Sequence, residues 1–176
     1  MKKYQIAIIW AAGAQEYPKG WFNFKQLYEL AYEVGYLLAQ HDCYILTGGK
    51  SGIMEGACKG VQQWWSISLG FIKWEQRHQS NQFNDIEIVT NMGDGGDAFL
   101  IPYSADGAII IGWGVGTLKE ICGFYLQGKP LVAIKWSGWW ADKLADQYID
   151  ERRLVKIIGE NSPTGAVKTL LSLIKS

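Results

Sequence analysis

The stretch "CYILTGGKSGIMEGACKGV", residues 43–61, joins a short apolar run to an amphipathic one through three glycines. Residues 43–47 are long enough for a buried strand and too short for a helix, and glycines end the run. Ile53 to Gln63 then carries apolar residues at helical spacing, so the unit reads as strand, glycine turn, helix. An ATP-binding P-loop is excluded. With Gly49, Lys50 and Ser51 as its G-K-S end, the leading glycine falls at Tyr44.

The same alternation extends outward in both directions. Tyr4 to Trp10 reads as a first strand and Phe24 to Gln40 as a helix, with Leu27, Leu30, Ala31, Val34, Leu37 and Leu38 recurring at three-and-four spacing. Downstream, "WSISLGFI", "IEIVT" and "GAIIIG" are short apolar runs, with weak helix potential from Ala98 to Ser104. A helix from Leu118 to Gln127, the strand "PLVAIKW", a helix near Asp142 to Ile149 and the strand "LVKIIG" follow. The last helix opens on Ser162 as N-cap, with Pro163 at the first helical position. Strands alternating with helices imply a parallel sheet covered on both faces. The expected architecture is a doubly wound, Rossmann-like, three-layer α/β/α fold, a single domain over residues 1–176. The longest polar insertion is "WEQRHQSNQFN", Trp74 to Asn84.

Composition excludes several classes of function. Lys and Arg number 17 against 17 Asp and Glu, so no net field draws the protein to nucleic acid or to an anionic membrane. No apolar run reaches the roughly 18 residues of a membrane span. The opening "MKKYQIAIIWAAGAQ" imitates a secretory signal, with Ala12-Gly13-Ala14 as an A-x-A site, but makes a better strand and turn. A soluble cytoplasmic protein is expected. Cys43, Cys58 and Cys122 lack metal-ligand spacing and read as buried reduced thiols. His41 falls at a helix end and His78 in the polar loop, so neither supports a nucleophilic triad. Asp94 and Asp97 of "GDGGD" lack EF-hand spacing and read as turn formers, so no metal site is expected. The Trp64-Trp65 and Trp139-Trp140 pairs cannot all be central and read as partly buried, with an interface as the alternative.

In doubly wound sheets, ligands bind beyond the carboxyl ends of the strands, where strand order reverses. Two glycine clusters fall there: Gly48, Gly49 and Gly52 after the second strand, and Gly112, Gly114 and Gly116 after the "GAIII" strand. Each precedes a helix, whose unpaired N–H groups and positive dipole end favour an anion. Lys50 is a further candidate contact. Thr117-Leu118-Lys119-Glu120 matches a capping box; alternatively Glu120 projects into the cleft as a carboxylate for chemistry.

"LTGGKSGIMEGACKGV" and "ADGAIIIGWGVGTLKEICGFYLQGKPLVAI" resemble the paired motifs of the LOG superfamily, T-G-G-x-x-G-[VI]-M-E-x-A and P-G-G-x-G-T-x-x-E. The nearer likeness is to its molybdenum-cofactor-carrier-like branch. The resemblance implies a homodimer or higher oligomer holding a small phosphorylated ligand at the two glycine turns, with Met54 and Glu55 standing at the motif's M-E. In LOG enzymes that ligand is an AMP-like nucleoside 5′-monophosphate, hydrolysed at the N-glycosidic bond, and the catalytic glutamate maps onto Glu120. In the carrier branch it is the molybdenum cofactor, held without chemistry. Neither implies pyridoxal phosphate, so the lysine decarboxylase label once attached to such proteins is set aside. The chain departs from the pattern twice. Trp113 replaces a glycine of P-G-G. The family's upstream arginine falls at Gly96 or Asp97, and no arginine occurs between Arg77 and Arg152. Lysine does not reproduce that forked donor, which favours binding over hydrolysis.

Overall fold

The computed structural model describes residues 3–10, 24–93, 95–112 and 114–175, without the side chain of Asp97. Trp113, Asp94 and the Ala12-Gly13-Ala14 turn therefore lie outside the described residues.

The chain runs β1 (Gln5–Ile9), α1 (Phe24–Gln40), β2 (Tyr44–Thr47), α2 (Ile53–Gln62), β3 (Ser68–Ile72), β4 (Ile86–Val89) and α3 (Gly96–Ser104). It continues β5 (Gly107–Ile110), α4 (Gly114–Leu126), β6 (Leu131–Ile134), α5 (Trp139–Leu144), β7 (Ile158–Glu160) and α6 (Pro163–Lys175). Among the described residues these strands form one seven-stranded sheet in the order β4-β3-β2-β1-β5-β6-β7, and every pairing is parallel. β5 and β6 are buried along their whole length, as strands covered on both faces must be.

Two apolar clusters divide the helices between the faces. One gathers α1, α2 and α6 over Ile6, Ile8, Ile45, Ile109 and Val132. The other gathers α3, α4 and α5 over Ala7, Ile9, Leu46, Ala108 and Ile110. Alternate residues of β1 feed opposite clusters, the period-two consequence of the pleat. The doubly wound α/β expectation holds.

α1 and α2 meet at unusually close range. A Cβ on Gly60 would lie 2.1 Å from the Tyr32 carbonyl oxygen, and one on Gly35 would lie 2.2 Å from that of Ala57. Glycine is thus required there for backbone to touch backbone, which seats the middle and end of α2 against α1.

No helix joins β3 to β4. The polar insertion makes that return instead, hydrogen-bonded to the structure from His78 onward. Ser80 donates N–H and Oγ–H to Glu87, and His78 N–H donates to the same carboxylate. Asp85 accepts from the N–H and hydroxyl of Ser68, both at 2.8 Å. These donors hold the Glu87 carboxyl down at about 2, below its usual 4.5, the Ser80 hydroxyl contributing most.

Three elements differ from the sequence reading. α4 begins at Gly114 rather than Leu118, α5 occupies Trp139–Leu144 rather than the region near Asp142 to Ile149, and β7 is reduced to three residues. Gly114, Val115 and Gly116 are poor helix formers by themselves, and packing on the sheet outweighs that preference. Cys43 and Cys58 are buried as expected, whereas Cys122 is only half-buried. Of the tryptophan pairs, Trp64 and Trp139 are substantially exposed and Trp65 is 95% exposed.

Candidate functional site

The strand order reverses at β1, whose neighbours are β2 and β5. Both glycine turns leave those neighbours at their carboxyl ends, so they stand on either side of β1, about 10 Å apart at normal strand spacing. α2 and α4 start there on opposite faces, and the positive ends of both helix dipoles lie at this one edge.

The first turn is built around Gly49. Its φ of +65° is left-handed, and a Cβ would come within 2.3 Å of Ile72 Cδ1. The N–H of Gly49 donates to Thr47 Oγ1 at 3.0 Å, and its carbonyl accepts from the Asn81 N–H at 2.8 Å. Asn81 Nδ2 donates to the Lys50 carbonyl at 3.1 Å and to that of Gly49 at 3.3 Å. Gly52, with φ +86°, is the N-cap of α2 and supplies no side-chain cap. The first amides of α2 lack intrahelical partners for the usual geometric reason. Lys50 is half-buried, Gly48 is buried and Ser51 is exposed.

Beneath this turn lies the Cys58 thiol, 3.9 Å from Thr47 Oγ1 and 3.8 Å from Asn81 Nδ2. Burial raises its pKa, so it stays a neutral packing group rather than a nucleophile. Met54 is buried in the α1–α2 core, and half-buried Glu55 stands in the acidic first turn of α2. Glu55 lies near Tyr28, whose pKa is raised first by burial and then by this charge.

The second turn divides its labour. Gly112, with φ +68°, donates its N–H to Ser137 Oγ at 2.8 Å, and its carbonyl accepts from the Ala141 N–H at 3.0 Å. A Cβ there would meet the Trp10 ring at 2.2 Å. Gly112 is therefore committed to packing and to the β6–α5 turn. Trp10 belongs to the cluster on the α1 face, whereas α4 starts on the other face. On that side, a Cβ on Gly116 would meet nothing within 4 Å among the described residues. Gly114 starts the helix with φ +91°.

Because α4 begins at Gly114, Thr117 lies inside its first turn and is not an N-cap, so the expected capping box is absent. Thr117, Glu120, Ile121 and Phe124 instead form the buried stripe against the sheet. Glu120 is 7% exposed. It lies about 9 Å down the helix axis from Gly114, with helical side chains leaning back toward the N-terminus. Among the described residues, no group of three or more His, Cys, Asp or Glu side chains gathers to hold a metal ion.

Sequence reasoning missed Asn81 and Ser137. Both reach a glycine turn through contacts across 25 residues or more. Neither belongs to a local pattern; for Asn81 the only sequence signal was an unexplained polar insertion of unusual length, and for Ser137 there was none.

Known proteins share this frame. The chain is 30% identical over 135 residues to an uncharacterised protein of Archaeoglobus fulgidus, covering 77% of this chain and 82% of that one. The solved structure of the molybdenum cofactor binding protein from Rippkaea orientalis superposes with a TM-score of 0.80 at 25% identity, over 99% of both chains. The molybdenum cofactor carrier protein of Chlamydomonas reinhardtii has the same fold, with a TM-score of 0.81 at 22% identity over 99% of this chain and 100% of that one. The SLOG cluster4 family matches residues 3–167, two glycine turns included, and the chain belongs to that family.

Proposed function

We propose that the protein binds a small phosphorylated ligand at the carboxyl edge of its sheet, with the anion received by the amides of the two glycine turns. The observation that carries this reading is the placement of both turns beside β1, where the strand order reverses. Gly48, Lys50, Gly52, Gly114, Gly116 and Thr117 border the ligand, while Gly49 and Gly112 shape the turns. A spacing of about 10 Å suits a ligand that joins a phosphate to a ring, as an AMP-like nucleotide and the molybdenum cofactor both do. The relative from Rippkaea orientalis, which is named for binding that cofactor, supports the reading.

Isothermal titration with AMP, ribose 5-phosphate and inorganic phosphate tests it. Saturable binding is expected, and silence at millimolar concentration from a folded protein rejects the proposal.

A second reading, hydrolysis of a nucleoside 5′-monophosphate, draws on one observation, the buried carboxylate of Glu120 on α4. It requires adenine release from AMP that disappears in Glu120→Gln. The absence of arginine between Arg77 and Arg152 weighs for the binder.

We further infer a cytoplasmic homo-oligomer. Free thiols suit that compartment. No helix among the described residues is long and apolar enough to cross a membrane. Phe99 and Tyr103 on α3 and Val115 and Leu126 on α4 are exposed apolar side chains, and we infer that these two helices carry the surface for self-association. If the turns bind nothing, that surface alone carries the role, as an interaction module.

A further inference from the structure

The peptide unit is planar and trans, so each carbonyl points opposite to the N–H of the next residue. Fixing the carbonyl of one residue therefore fixes the amide direction of its successor. In the β2–α2 turn, the Gly49 and Lys50 carbonyls are both held from the same side by one residue of the polar insertion. Asn81 supplies its backbone N–H to Gly49 at 2.8 Å, and its Nδ2 to Gly49 at 3.3 Å and Lys50 at 3.1 Å.

We propose that Asn81 is a positioning residue, which by retaining the Gly49 and Lys50 carbonyls on the interior side sets the following peptide planes so that the Ser51 N–H turns outward as an anion donor. This rests on the phosphate reading above and adds what aims the amides.

Asn81 is suited to the task by burial and by its own anchorage. It is 8% exposed, and its Oδ1 accepts the Phe83 N–H at 3.0 Å, which orients the carboxamide with its nitrogen toward the turn. The insertion on which it rides is held by the bonds from His78 and Ser80 to Glu87. The turn needs such a clamp, because glycine permits either orientation of the following peptide plane at little cost. An outward carbonyl would present negative charge to a phosphate, whereas successive outward amides form an anion-binding concavity.

The test compares inorganic phosphate and AMP affinities of the full-length protein with Asn81→Asp, Asn81→Ala and Asn84→Ala. Asn81→Asp keeps the shape and the acceptor for Phe83 while removing the Nδ2 donor. Asn84, on the same insertion, donates to the Ile86 carbonyl at 2.7 Å and has no bond to the turn carbonyls, so it controls for loosening of the loop. The expected result is a loss of about tenfold or more in both Asn81 variants, the worth of one charge-assisted hydrogen bond, with Asn84→Ala near wild type. Folded Asn81 variants that bind phosphate like the wild type overturn this proposal and leave the phosphate reading standing. A wild type that binds neither ligand overturns both. Should both Asn81 variants fail to fold, amide resonances of the wild type decide. That of Ser51 must shift on phosphate addition, and its indifference while other amides respond overturns the assignment.

Discussion

Replacing Gly60 by alanine puts the close packing of α1 on α2 to a quantitative test. The new Cβ would sit 2.1 Å from the Tyr32 carbonyl oxygen and 2.8 Å from the Tyr36 nitrogen. Ordinary contact begins near 3.4 Å, so the two helices must part locally by roughly 1 Å. Both obstructing atoms are backbone, and no side chain can rotate away to make room. Overpacking of this kind costs about 1–3 kcal/mol, and immobile neighbours place Gly60→Ala at or above the upper end. Against it stands a gain of about 1 kcal/mol from alanine's better helix propensity. The expected net loss is about 2 kcal/mol, or about 4–8 °C in Tm for a chain of this length. Urea unfolding with an unchanged slope measures it. Gly116→Ala is the matched reference, also helical but with nothing within 4 Å of the added methyl among the described residues, and its stability should hold or rise. If Gly60→Ala is neutral or stabilising like Gly116→Ala, the helices are not in backbone contact and the reasoning fails.

Other outcomes follow from particular bonds. Glu87 is held ionised to about 2, so its contribution is full above about 4.5 and is lost as pH falls through 2. Thermal unfolding of wild type and Glu87→Gln should therefore differ at pH 6 and converge near pH 2; a constant gap contradicts this. Ser137→Ala leaves the buried Gly112 N–H unpaired and should cost about 1–3 kcal/mol in chemical denaturation; a change below about half a kcal/mol removes Ser137 as the anchor of the second turn. If α4 carries the self-association surface as proposed, Leu126→Glu, which places charge at an exposed apolar position, should shift sedimentation toward the monomer without altering circular dichroism; an unchanged assembly locates self-association elsewhere.

Legibility in the sequence tracked how local each cause was. The bounds of α1 follow from a clean three-and-four apolar spacing, and the start of α6 from Ser162, whose Oγ accepts the Gly165 N–H at 3.1 Å. Both signals lie within a turn of the residues they govern. The start of α4 was misplaced, because Gly114 and Gly116 oppose helix formation until the sheet is present. The glycine turns themselves were visible as spacing, yet which of their amides the fold itself uses was not. Gly112 spends its amide on Ser137, 25 residues away, and no periodicity encodes such a partnership.

The glycine contact between α1 and α2 has a last consequence. A receptor surface made of main-chain amides on a helix seated against another backbone has no rotamers to freeze, so an incoming anion meets it at small entropic expense. Such a surface reads charge and little else. Under the phosphate reading, discrimination among ligands then falls to the side chains around it, which can change while the frame stays intact.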